Sequence, residues 1–163
     1  KFDMTSKKGI LYGRTSWSEE PQGGVYEKDK DGYFNDNKYE GEIENGKPHG
    51  NGTWTQSDGA TYVGQFVDGR REGLGTFTWS NKSPESGKSY EGEYKNNRRH
   101  GKGKLIFEGG YVEEGNWIDN KMVIDEDDES WREGGKDYTE EELEERVEYY
   151  EEKRKKYLAD KKD

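Results

Sequence analysis

The chain has 163 residues, enough for one compact domain or one short repeat array. Only 26% are hydrophobic and 39% are charged, too little apolar material for a thick two-layer core, although 12 Tyr, 5 Trp and 5 Phe can line a thin one. A net charge of −10 argues against nucleic acid and disfavours an anionic membrane surface, and zero Cys excludes disulfides, thiolate metal sites and thiol nucleophiles.

In chain order, residues 1–38 balance acidic against basic groups and hold strand-like stretches near 10–12 and 25–26, broken by glycines and polar turns. They predict atypical hairpins that cap the first edge of the sheet built by the later residues, since an open sheet needs ends that stop edge-to-edge growth. The sequence starts at Lys1 rather than Met, consistent with the loss of a leader or an upstream domain. No apolar run approaches the roughly 18 residues of a membrane-spanning helix.

From Tyr39 the chain repeats itself. YEGEIENGKPHGNGTWT from Tyr39, YVGQFVDGRREGLGTFT from Tyr62 and YEGEYKNNRRHGKGKLI from Tyr90 align, and a degenerate copy, EEGNWIDNK, starts at Glu113. Each copy reads as two short strands. Side chains alternate along a strand, so Tyr39, Gly41 and Ile43 share one face while Glu40, Glu42 and Glu44 take the other. In the second strand Gly50, Gly52 and Trp54 share a face, and Asn51, Thr53 and Thr55 point away. Gly46 and Gly50 suit the turn between them; Asp58-Gly59 and Ser86-Gly87 supply the reversals between copies. Asn97 and Asn120 replace the turn glycine, which left-handed geometry tolerates. Trp54 corresponds to Phe77 and Leu105, and Ile43 to Phe66, Tyr94 and Trp117. Glycines opposite rings make slots in which a neighbouring ring lies flat, and stacked copies bury one aromatic ribbon that no single copy could bury.

These copies resemble the MORN (membrane occupation and recognition nexus) repeats, whose unit runs Y-x-G-x-[aromatic]-x-x-G-x-x-x-G-x-G. The copy at Tyr62 matches throughout, the copy at Tyr39 matches but for Ile43 at the aromatic position, and the copy at Tyr90 departs at Asn97. The copy at Glu113 keeps Gly115, Trp117 and Lys121 but lacks the leading Tyr and the G-x-G half, so the array ends there. The resemblance implies an elongated, twisted sheet of successive hairpins that serves as a scaffold, a dimerisation module or a binding groove. It does not imply catalysis.

Residues 125–137 form an acidic, Gly-containing linker, and residues 123–163 together carry a net charge of −8. A helix is predicted from about Thr139, where Thr139 and Glu142 make a capping box, acids fill the first turn and lysines the last. Leu143, Val147, Tyr150, Tyr157 and Leu158 give it one narrow apolar stripe. That stripe either packs on the chain's own sheet or docks on a partner; Arg154 interrupts it, which weighs against a self-sufficient coiled coil.

The chemistry-bearing residues are few. His49 and His100 fall at the same position of two copies, which explains them without a metal pair or a catalytic dyad. No HExxH, GxSxG or phosphate-loop pattern occurs, and every G-x-G belongs to the repeat. The acidic run at 125–129 lacks the spacing of a calcium loop. Trp and Tyr platforms also suit sugars, yet no pair of carboxylates stands out as a glycosidase pair.

The expectation is therefore an all-β, elongated single-sheet solenoid of antiparallel hairpins with a C-terminal α-helix. Its parts are capping hairpins at 1–38, repeats at 39–122 starting at 39, 62, 90 and 113, a linker at 123–137 and an amphipathic helix at 138–163. It acts as a non-catalytic scaffold without cofactor or metal, and its partner is a protein or peptide; a homodimer is compatible with such an array. The partner segment, or the chain's own helix, lies on the rings of Tyr39, Trp54, Tyr62, Phe77, Trp79 and Tyr90. The alternative is a lipid-binding module using the basic turns Arg70, Arg71, Arg98 and Arg99, flanked by Lys47 and Lys121.

Overall fold

The computed structural model of the protein describes residues 6–13, 16–123 and 139–160. Ten antiparallel strands form one open sheet: β1 (Ser6–Gly13), β2 (Trp17–Ser18), β3 (Lys38–Glu44), β4 (Lys47–Thr55), β5 (Thr61–Val67), β6 (Arg70–Thr78), β7 (Ser89–Lys95), β8 (Arg98–Ile106), β9 (Val112–Ile118) and β10 (Lys121–Val123). Among the described residues one helix, α1 (Glu140–Asp160), follows. The strand order is β10-β9-β8-β7-β6-β5-β4-β3-β1-β2, so the repeats add neighbours in sequence order. This is the all-β, single-sheet architecture with a terminal helix that the repeat pattern predicts.

Four hairpins, β3–β4 through β9–β10, close through two-residue turns whose central residues all have positive φ: Asn45 and Gly46, Asp68 and Gly69, Asn96 and Asn97, Asp119 and Asn120. Asn, Asp and Gly are the residues that bear this geometry, which matches the right-handed twist of the strands.

The cross-strand register sorts the inner face into rows. Leu11, Tyr39, Trp54, Tyr62, Phe77, Tyr90, Leu105 and Glu113 stand opposite one another in succession from β1 to β9. Two residues along each strand runs an unbroken row of glycines: Gly9, Gly41, Gly52, Gly64, Gly75, Gly92, Gly103 and Gly115. Beyond it the register shifts between Gly41 and Ile43, Gly64 and Phe66, and Gly92 and Tyr94, so a bulge sits at the same place in each of the three hairpins. Past the bulge lies a third row in which Ile43 meets Pro48, Phe66 meets Arg71, Tyr94 meets Arg99 and Trp117 meets Met122. Side chains from both outer rows lean over the glycines, and there the core lies.

Gly50, Gly73 and Gly101 sit inside the bulges with φ of 93°, 84° and 75°. A Cβ on any of them would also strike the side chain of Glu42, Gln65 or Glu93. Those side chains accept the backbone N–H of Asn51, Leu74 and Lys102, stapling each bulge to the first strand of its hairpin.

The N-terminal segment belongs to the same scheme. β1 meets β3 with Lys7 opposite Ile43, Gly9 opposite Gly41 and Leu11 opposite Tyr39, the register in which β4 meets β5. β1 is thus the second strand of a half-copy, and β2 occupies the place of the missing first strand. Residues 25–26 lie in no strand; Tyr26 instead stacks on Phe34 at 4.7 Å, and Phe34 hydrogen-bonds with Ser57 between β4 and β5.

At the other end Thr139 and Glu142 form the predicted capping box, with Thr139 N–H donating to Glu142 (2.9 Å) and Glu142 N–H to Thr139 Oγ1 (3.1 Å). Glu140 pairs with Lys121 of β10 at 2.8 Å, which ties the start of α1 to that edge of the sheet. As described, α1 runs to Asp160 with no basic residue in its final turn, and Lys161 and Lys162, which the expectation of lysines at the helix end also concerns, lie outside the described residues. The side chains of the proposed stripe, Leu143 to Leu158, and the linker from residue 124 likewise lie outside them. No helix among the described residues is long and apolar enough to cross a membrane.

Candidate interaction surface

The inner face is held by a herringbone of rings. Trp17, Tyr39, Phe66, Tyr62, Tyr94, Tyr90 and Trp117 meet in that succession at centroid distances of 6.3, 5.0, 5.0, 5.1, 5.3 and 5.2 Å. Their planes cross at 69–90°, the edge-to-face arrangement that aromatic quadrupoles favour. Tyr39, Tyr62 and Tyr90 are fully buried and cover Gly52, Gly75 and Gly103 so closely that a Cβ on any of these glycines would come within 3.0 Å of the ring.

The three fully buried tyrosines keep partners for their phenols. Tyr39, Tyr62 and Tyr90 donate to the carbonyls of Glu42 (2.5 Å), Gln65 (2.9 Å) and Glu93 (2.9 Å), three residues on. Burial pushes the Tyr39 and Tyr94 hydroxyls up to about 12 and raises Tyr62 and Tyr90 further still. The Tyr39, Tyr62 and Tyr90 hydroxyls act as neutral donors within the fold, not as acids.

Two cations join the rings. Arg71 lies over Trp54, Tyr62, Phe77 and Tyr94 with its guanidinium carbon 5.2–5.8 Å from their centroids. Arg99 lies over Trp79, Tyr90 and Trp117 at 4.9–5.8 Å. Each also grips the turn of the next hairpin: Arg71 Nη2 donates to the Asn97 carbonyl (2.8 Å) and Arg99 Nη2 to that of Asn120 (3.1 Å). The Asn side chains return the contact by accepting the backbone N–H of Arg71 (2.9 Å) and Arg99 (2.8 Å). Burial lowers both guanidinium pKa values, yet Arg stays charged, and a cation over rings is attracted by their faces. Among the described residues no carboxylate comes within ion-pair distance of either guanidinium.

Of the rings proposed from sequence, Tyr39, Tyr62 and Tyr90 have no exposed surface and Phe77 is buried. Trp54 and Trp79 pack on the core but stay partly exposed, as do Trp17 and Leu105. A cavity of about 240 Å³ opens on this face, lined by Trp17, Trp54, Gln56, Phe66, Gly69, Arg71 and Asn97. The indole N–H of Trp54 finds no acceptor among the described residues. Of the four arginines proposed as a basic edge, Arg70 and Arg98 are exposed, with Arg98 3.8 Å from Asp119, whereas Arg71 and Arg99 are partly buried against the rings. His49 accepts the Asp68 N–H at 3.3 Å, and Glu72, its counterpart in the next copy, accepts the Asn96 N–H at 3.1 Å; the position caps the following turn.

Trp17 escaped the sequence reading, and so did the inward placement of Arg71 and Arg99. Trp17 lies outside every copy, and no periodic signal points to it. Arg71 and Arg99 carried a signal, because each shares the parity of the inward glycines that follow it.

Comparison with known proteins agrees with this geometry. A MORN repeat family model matches residues 39–61, 62–83 and 90–110. Alsin from Homo sapiens and Alsin from Pan troglodytes are 35% identical to this chain over 91 residues, and Alsin from Rattus norvegicus is 34% identical. The match takes in 56% of this chain and 6% of the length of each relative.

Proposed function

We propose that this chain, which carries MORN repeats over residues 39–61, 62–83 and 90–110, a module that generally mediates protein or membrane interactions, is a protein-interaction scaffold whose aromatic face receives a segment of a partner protein. The observation that carries this reading is the division of labour among the rings. The tyrosines are consumed by the core, while Trp54 and Trp17 leave apolar surface lining a cavity and Trp79 stays partly exposed against the same core. Tryptophans set in a fixed frame are favoured binding anchors. The chain's own helix is the second candidate occupant of this face, but its described tie to the sheet runs through Lys121 at the β10 edge.

The test is selection of peptides from a displayed random library on the full chain, with counter-selection on a Trp54→Ala/Trp79→Ala variant. Peptides that bind the first and lose the second, with the circular dichroism of the sheet preserved, support the groove. Equal binding to both would remove it.

A lipid-binding reading rests on the exposed Arg70 and Arg98 at the hairpin turns. It requires co-sedimentation with anionic but not neutral vesicles, lost on raising the salt and on changing both arginines to Gln. With Arg71 and Arg99 turned onto the rings, this edge holds less free positive charge than four arginines in the turns would give it.

A further inference from the structure

The 240 Å³ cavity on the aromatic face has one charged group in its wall, Arg71; the other lining residues are Trp17, Trp54, Gln56, Phe66, Gly69 and Asn97. The Arg71 guanidinium spends one N–H on the Asn97 carbonyl and another, at 3.5 Å, on the Asn97 side chain, and no carboxylate answers it among the described residues. The remaining donors of the fork are uncommitted, in a setting where rings exclude water and strengthen a charge-assisted bond. The neighbouring copy makes the same arrangement with Arg99 over Trp79, Tyr90 and Trp117, again without a paired carboxylate. In the first hairpin the equivalent position is Pro48, fully buried and uncharged, so the cations are a property of the second and third hairpins.

Resting on the groove reading above, we propose that the face reads an extended acidic segment, with one carboxylate taken by Arg71, a second by Arg99 and apolar side chains laid against Trp17, Trp54 and Trp79. Charge complementarity selects the acid. The cavity's size selects the conformation, because 240 Å³ admits one or two side chains and not a helix about 10–12 Å across. Spacing follows from the sheet. Equivalent residues of successive hairpins lie two strand spacings apart, about 10 Å, and a chain extended as polyproline II, with three residues per turn and about 3.1 Å per residue, covers that in about three residues and returns its side chains to the same side. The recognised pattern is therefore two acids at i and i+3 with apolar residues beside them.

The experiment uses the full chain, isotope-labelled so that the five tryptophan indole N–H signals are followed by NMR. The probe is an acetylated, amidated octapeptide of leucine and threonine with glutamate at its third and sixth positions, compared with the same peptide carrying glutamine there. The expected result is movement of the Trp17, Trp54 and Trp79 signals, with the glutamate peptide binding about tenfold more tightly. Arg71→Met removes most of that preference; Arg71→Lys, which keeps the charge, retains part of it and covers the case in which the Met variant does not fold. Equal binding of the two peptides at these tryptophans overturns the acidic specificity and leaves the groove standing. No movement with either peptide at millimolar concentration overturns both. Indole shifts that depend on protein concentration without any peptide would seat a second copy on this face and overturn the acidic segment as its occupant.

Discussion

The ring of Tyr62 lies over Gly75 so closely that the smallest side chain would collide with it at under 3.0 Å. Gly75→Ala must displace a fully buried ring that also meets Phe66 and Tyr94. A cost of about 3 kcal/mol or more is expected from overpacking. Tyr62→Phe keeps the ring and removes only the bond to the Gln65 carbonyl, for about 1–2 kcal/mol. Urea unfolding of the two variants should rank them in that order; a harmless Gly75→Ala would mean that the ring does not rest where it is described.

Alkaline pH should undo the herringbone. The Tyr39 and Tyr94 hydroxyls are pushed up to about 12 from an ordinary 10. The folded state thus holds these protons more tightly than the unfolded chain. Their contribution is complete below pH 10 and is lost as the pH rises toward 12, each phenol adding a slope of about 1.4 kcal/mol per pH unit in that window. Tyrosinate absorbance followed alongside circular dichroism checks this: the buried phenols should ionise together with unfolding, after the exposed ones.

The turn asparagines separate two roles. Asn97 holds φ of 68° and its side chain accepts the Arg71 N–H. Asn97→Gly keeps the first role and loses the second, whereas Asn97→Ala loses both. Thermal or urea unfolding should show Asn97→Ala the costlier by about 1 kcal/mol, since left-handed geometry penalises a Cβ that has no local hydrogen bond. Gly69, at the same turn position one copy earlier, faces Pro48, which has no N–H to satisfy, and there the sequence carries glycine.

Thr139→Ala should lower helix content. It removes the acceptor for Glu142 N–H and half of the reciprocal cap, a loss of about 1 kcal/mol for the helix. The far-UV signal at 222 nm should fall while the near-UV signal of the sheet tryptophans stays unchanged. A matching loss in both would tie sheet stability to α1.

Much of this fold was legible because its period is short and its glycines are placed by sterics. Tyr39, Gly41, Gly52 and Trp54 announced the hairpin, and the alternation fixed their face. The half-copy at the start was written in Gly9 and Leu11, which repeat the spacing of Gly52 and Trp54, but a lone pair of residues carries little signal without its partner strand. The arginines are the instructive case. Composition places Arg70-Arg71 in a polar turn, whereas period-two parity sends Arg70 out and Arg71 in, and the rings then accept the cation. Nor could one sequence separate the consumed tyrosines from the partly exposed Trp54, since both sit in the same row; their difference arises from how far each ring leans over the glycines. Trp17 was illegible because its contact with Tyr39 is made across β1, between segments that share no pattern.

The row of paired glycines crosses each junction from β1 to β9 at right angles to the strands, and the interstrand hydrogen bonds run parallel to it. A tension applied between the two ends of this ribbon therefore loads those bonds end-on, one ladder at a time, rather than shearing many together. Drawn out in a single-molecule force experiment, the array should yield hairpin by hairpin at low force, in even steps, as a seam opens.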